Sequence, residues 1–221
     1  MDKIDSRLAQ VAILLQRQYL LLRHLIDTTD EVRGRFEASL SGGTQNLGNV
    51  LGVYNYVFAL VDHLVRYEKI ASGIPKLNQK SAEFRSLDTA MGDLKEIRNQ
   101  LQHINNDVEN TYSGPLLGAV CWVSEKKQYI ACLNDVGRER SSPGIILDTH
   151  RGAYLQDFCY VYDGKYYDLS RAIDGVETFN KFLNEAIHVE VNGKKYSDED
   201  HFMAICVAIN MPSPGENFPA A

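Results

Sequence analysis

Along the first 110 residues, apolar positions recur every three or four residues, the repeat of helices with one buried face. Ile4, Leu8, Val11, Leu15, Leu22 and Ile26 draw one such stripe, and Ser41-Gly42-Gly43-Thr44 interrupts it. A second helix is predicted from about Leu47 to Ser72. It is apolar nearly all round, through Val50, Leu51, Val53, Tyr54, Val57, Phe58, Leu60, Val61, Leu64 and Val65, which places it in the middle of a bundle. Its polar residues Asn55, Asp62, Arg66 and Lys69 fall on one narrow strip, so that edge is expected to stay wet or to meet a partner. Gly73-Ile74-Pro75 ends it. A third helix is predicted from about Ser81 to Asn110, with Leu87, Leu94, Ile97, Leu101, Ile104 and Val108 as its buried seam.

After Thr111-Tyr112-Ser113-Gly114-Pro115 the spacing becomes that of strands. Leu116–Val123 and Gln128–Leu133 flank a short polar turn, and Gly144–Asp148 is a further strand. Asp157–Tyr162 and Lys165–Leu169 bracket Asp163-Gly164, a strong signal for a tight hairpin. Helical spacing returns over Ser170–Ile187. A second hairpin signal stands at Asn192-Gly193, and Ser197 with Asp200 resembles a capping box opening a last helix to about Ile209. These patterns predict an α+β protein: an antiparallel helical bundle over residues 1–112, an α+β domain with an antiparallel sheet over 115–211, and a frayed tail over 212–221.

Composition narrows the function classes. With 221 residues, 44% of them hydrophobic, the chain can bury a sizeable core. A formal net charge of −6 argues against broad adhesion to nucleic acid, which depends on many Lys and Arg contacts to phosphate. A small basic site on an acidic surface remains compatible with it. Cys121, Cys132, Cys159 and Cys206 include no Cys-x-x-Cys pair, and read as reduced thiols of a cytoplasmic protein rather than as zinc or redox ligands. Met1-Asp2-Lys3-Ile4-Asp5 is not the start of a secretory leader, and charges break every apolar run short of a bilayer span, so no membrane partner is expected.

The chemistry concentrates in Arg98-Asn99-Gln100-Leu101-Gln102-His103. On a helix with its apolar seam inward, Asn99 and His103 lie one turn apart on the outward face, with Arg98 on the flank. Arg98 and His103 of one helix stand too far round the axis for a close mutual contact. A second copy facing the first across a two-fold axis would bring them together. An arginine and a histidine are the groups that metal-free RNA cleavage needs. Neutral imidazole removes the proton of the ribose 2′-hydroxyl, whose oxygen attacks the adjacent phosphorus and leaves a 2′,3′-cyclic phosphate. The guanidinium holds the phosphate oxygens and stabilises the charge that builds in the transition state. DNA, lacking the 2′-hydroxyl, cannot react in this way.

Arg-Asn-x-Leu-x-His late in a helix that closes a small bundle resembles the signature of HEPN domains. Many HEPN domains are metal-independent endoribonucleases in toxin–antitoxin, CRISPR-associated, abortive-infection and RNA-processing systems, and others are inactive binding modules. The resemblance covers about the first 110 residues, and only the six-residue motif is specific. It implies Arg98 and His103 as the catalytic pair, with Asn99 as the polar residue that commonly follows the arginine, and a homodimer in which two motifs meet. It also implies RNA as substrate, no cofactor and no metal, with bacterial defence or stress response as the setting. Some members carry an acidic residue on an earlier helix, for which Asp62 is the best-placed candidate auxiliary. The tyrosine that a subset carries two residues after the histidine is here Asn105, which does not support a nucleotide-transferring arrangement.

Other groups are weaker. His24 and His63 read as packing or surface residues. Asp198-Glu199-Asp200-His201 opens a helix, where acidic residues favour the positive end of the dipole. His103 and Asp107 lack a third metal ligand. Tyr154, Phe158, Tyr160, Tyr162, Tyr166 and Tyr167 make an aromatic hairpin better explained by a sheet core than by base stacking. A solvated helix face, with Arg98 paired to Asp93 or Glu96, is the bland account of the motif. The rival function is a non-catalytic HEPN-like dimerisation module whose C-terminal half binds a protein or small ligand.

Overall fold

The computed structural model describes residues 3–43, 46–75, 77, 79–102, 117–133, 147–148, 153–154, 157–187, 190–191, 194–195 and 197. Among them, five helices accompany a four-stranded antiparallel sheet, an α+β architecture. Helix α1 (Lys3–Ser41) has 39 residues, about 58 Å at 1.5 Å per residue. It packs along α2 (Leu47–Ala71), which Asn46 caps by accepting a hydrogen bond from the Gly48 amide at 2.8 Å. Leu15 and Leu22 of the α1 stripe are buried, while Leu8, Val11 and Ile26 pack at the edge of the core.

Helix α2 is central, with α1, α3, α4, α5 and the sheet all against it. Val53, Val57, Leu60 and Leu64 are fully enclosed, but Leu51, part of the all-round apolar pattern, is 49% exposed and Val50 is half-buried, so the N-terminal end of the helix is open on one side. The strip of Asn55, Arg66 and Lys69 is exposed, with Asp62 half-buried beside it.

The third predicted helix is two. Helix α3 (Ala82–Met91), capped by Ser81, ends at Gly92, and α4 (Leu94–Gln102) begins two residues later. Gly92 has φ +47, a conformation that strains any residue with a Cβ. The apolar seam keeps phase across the corner: Leu87, Met91, Leu94 and Ile97 are all buried, with Leu101 packed at the edge. Residues 103–110 lie outside the described residues.

Strands β1 (Ala119–Ser124) and β2 (Lys127–Cys132) form one hairpin, and β5 (Phe158–Tyr162) and β6 (Lys165–Asp168) form another. They join through antiparallel β1–β5 pairing in the order β2-β1-β5-β6. Two short antiparallel ladders are separate from this sheet: β3 (Leu147–Asp148) with β4 (Ala153–Tyr154), and β7 (Glu190–Val191) with β8 (Lys194–Lys195). One sheet face carries Val120, Trp122, Phe158, Tyr160 and Tyr167 into the same core as the helices, so the core is continuous across the change from helix to strand. Phe158, Tyr160, Tyr162 and Tyr167 of the aromatic hairpin are core, Tyr166 is partly buried, and Tyr154 falls on β4 outside the hairpin; the ring of the fully buried Tyr160 lies 5.7 Å from that of Phe58 of α2, edge to face. Trp122 donates its indole N–H to Glu37 of α1 at 2.7 Å. The other sheet face buries Cys121, Cys159, Ala119 and Val161. No described cysteine is disulfide-bonded.

Helix α5 (Leu169–Ala186) leaves β6 directly, with Asp168 as its cap, and lies on α3. No helix among the described residues is long and apolar enough to cross a membrane. The last predicted helix and the 212–221 tail lie outside the described residues.

The α3–α5 contact depends on a missing side chain. A Cβ at Gly175 would stand 2.4 Å from the Ala90 Cβ. Gly175→Val is expected to force the helices apart and to lower stability by about 1–3 kcal/mol, read as a reduced denaturation midpoint.

Candidate functional site

The polar strip of α2 and the outer side of α4 face each other across a small gap. Arg98 of α4 donates its Nε to Asp62 Oδ1 at 3.0 Å, and Arg66, one turn along α2, donates an Nη to Asp62 Oδ2 at 2.6 Å. One carboxylate thus bridges two guanidinium groups. The pairing with Asp93 or Glu96 does not form. Glu96 instead accepts from Lys165 of β6 at 2.8 Å, which ties α4 to the sheet.

Committing Nε to Asp62 fixes the plane of the Arg98 guanidinium. Its two Nη groups have no acceptor among the described residues. The side chain is one-third exposed, with a relative accessibility of 33%. An arginine held in this way can grip a phosphate with little further loss of side-chain freedom. Asn99, the next residue, is exposed on the same cleft, lined by α2, α3 and α4 and enclosing about 630 Å³.

Three of the four site residues expected from sequence are therefore placed. Asp62 and Arg98 are in contact, and Asn99 joins Arg98 at the cleft. His103 lies outside the described residues. A residue pair that the sequence pattern did not single out adds to the site. Glu68, on the buried side of α2 and only 4% exposed, accepts from Lys95 Nζ at 2.7 Å. Burial works against the Lys95 ammonium, but the hydrogen bond and charge of Glu68, with Asp88 behind, outweigh it and raise its pKa. The available signal was a carboxylate on the apolar side of a central helix, which demands a cationic partner.

Among the described residues, no group of three or more His, Cys, Asp or Glu side chains is placed to hold a metal ion. The Asp198-to-His201 cluster and the His103–Asp107 pair lie outside the described residues.

His63, next to Asp62, turns the other way, towards α1. Gln18, 5% exposed, places its Nε2 2.8 Å from His63 Nδ1 and 3.2 Å from the His63 carbonyl oxygen. An amide that donates to both atoms pairs with an unprotonated Nδ1 and so favours the neutral ring. Burial, and after it the charge of Arg66, lowers the His63 pKa, while Asp62 partly opposes them. His63 is a packed histidine, and His24 is exposed on α1.

A folded-state pKa below the unfolded value of about 6.5 means that the unfolded chain binds the proton more readily. Its stabilising contribution is complete above that pH and is lost as pH falls through the lower folded value. His63→Gln is expected to flatten the decline in denaturation midpoint as pH is lowered from neutrality, measured against the parent chain. In comparisons with known proteins, no family model, no curated protein and no solved structure matches this chain.

Proposed function

We propose that this chain is a HEPN-type, metal-independent endoribonuclease acting as a homodimer. The observation that carries the reading is the Arg98–Asp62 contact: a motif arginine held through Nε by a carboxylate from an earlier helix, with its terminal amines left for a phosphate. His103 of the same or the facing copy removes the ribose 2′-proton. The 2′-oxygen bonds to phosphorus, and the bond to the 5′-oxygen breaks. That oxygen takes a proton from water as it leaves, giving a 2′,3′-cyclic phosphate and a 5′-hydroxyl, and the imidazolium of His103 returns its proton to solvent. Arg98 stabilises the phosphoryl oxygens as negative charge builds on them. Asn99 orients the phosphate or the imidazole, and Asp62 acts as a positioning residue.

A second reading has its own observation. Leu14 and Leu21, two turns apart on α1, are 51% and 53% exposed, an apolar stripe suited to a partner helix in a non-catalytic interaction module.

The assay is purified protein with mixed RNA in EDTA. Cleavage to cyclic-phosphate ends is expected, reduced about 10²–10³-fold by Arg98→Ala and about 10²–10⁴-fold by His103→Ala. Asp62→Asn is expected to lower the rate less than Arg98→Ala, because the guanidinium remains but loses its anchor. Intact RNA at high protein concentration, or cleavage that needs a divalent ion, removes the nuclease reading and leaves the interaction module.

A further inference from the structure

The cleft beside Arg98 has an uneven charge distribution. Its lining includes four cations, Lys69, Arg85, Lys95 and Arg98, against two carboxylates, Glu68 and Asp88. In the whole chain the balance is reversed, with 23 Lys and Arg against 29 Asp and Glu. Both lining carboxylates are engaged by Lys95, at 2.7 and 3.5 Å, and Arg98 is paired with Asp62. Lys69 and Arg85 remain, with no carboxylate partner among the described residues.

Arg85 repeats the device seen at Arg98. Its Nε and one Nη donate to the Lys80 carbonyl oxygen, at 2.9 and 2.5 Å, so the guanidinium is oriented by the backbone and the other Nη is left over. Two arginines on one cleft, each anchored through Nε, present terminal amines to whatever enters. Lys69, in the last turn of α2, adds a third charge to the lining from the α2 side.

We propose that this cleft is a backbone-binding track for single-stranded RNA, in which Lys69 and Arg85 hold the phosphates neighbouring the linkage at Arg98. The identity of the ligand as RNA rests on the nuclease reading, whereas the phosphate grip rests on the cleft itself. The lining also sets the kind of recognition. Its one aromatic residue, Phe84, is 7% exposed and packs edge to face on Phe179 at 5.9 Å, so no ring is offered for stacking a base. Contacts to phosphate position a strand without reading its sequence. The track is therefore indifferent to base identity and sensitive to salt.

The test separates binding from cleavage. Fluorescence anisotropy in EDTA follows a short 2′-O-methyl oligonucleotide, which lacks the attacking hydroxyl and stays intact. The parent chain is expected to bind uridine and adenosine oligomers alike. Its log affinity should fall linearly with log salt concentration, and Lys69→Gln with Arg85→Gln should make that slope shallower by about 1.4, from about 0.7 per lost phosphate contact on a single strand. Each single variant should account for about half, which keeps the result readable if the pair folds poorly. An unchanged slope in both single variants, strong preference for one base, or no binding by the parent overturns the track. Intact RNA in the cleavage assay alongside salt-dependent binding lost in these variants would overturn the nuclease reading and leave the track standing.

Discussion

Among the described residues, the other four helices and the four-stranded sheet are arranged around α2. Helices pack against it along its length, and the sheet closes the end near Tyr54 and Phe58. A helix so enclosed can place charge in few directions, because an ionised group turned into the core loses its hydration without recompense. Asp62, Arg66 and Lys69 therefore share one strip. Glu68, the exception, is tolerated because Lys95 reaches it. The strip faces α4, and the polar chemistry of the helical half gathers there as a consequence of how the core is filled.

The Asp62 bridge shows how such a place acquires chemical potential. A carboxylate between two guanidinium groups leaves a net positive charge and immobilises both cations. In this half-exposed setting the pairs add little to stability, since surface ion pairs contribute about 0–1 kcal/mol. Their effect is on geometry. The anchor at Nε directs the remaining amines, and the same use of Nε recurs at Arg85 with a carbonyl oxygen as acceptor. Preorganised donors of this kind are what an incoming anion needs, since water must otherwise be rearranged as it binds.

Much of the architecture was legible in the chain because burial writes periodicity into it. The stripe of α1, the enclosure of α2, the Asp163-Gly164 hairpin and the helix after it follow directly from apolar spacing and turn chemistry. The break between α3 and α4 was not legible in that way. Met91, Leu94 and Ile97 keep helical spacing through the corner because both helices face one core, so the seam looks unbroken. Only Gly92 marks the place, and an isolated glycine in a helical pattern is an ambiguous sign. At the site, the strip and the Arg98 motif could be read separately. That Asp62 is the acceptor, rather than the nearer Asp93 or Glu96, depends on two helices distant in sequence being brought side by side. Lys95 and Glu68 escaped for the same reason.

The corner at Gly92 has a further consequence. It sets the heading of α4, so it decides where a guanidinium six residues downstream is aimed. The orientation of the Arg98 guanidinium is then sensitive to a position that has no functional group of its own. Selection for chemistry would register there as intolerance of a single added methyl, while the charges around it had wider latitude to vary.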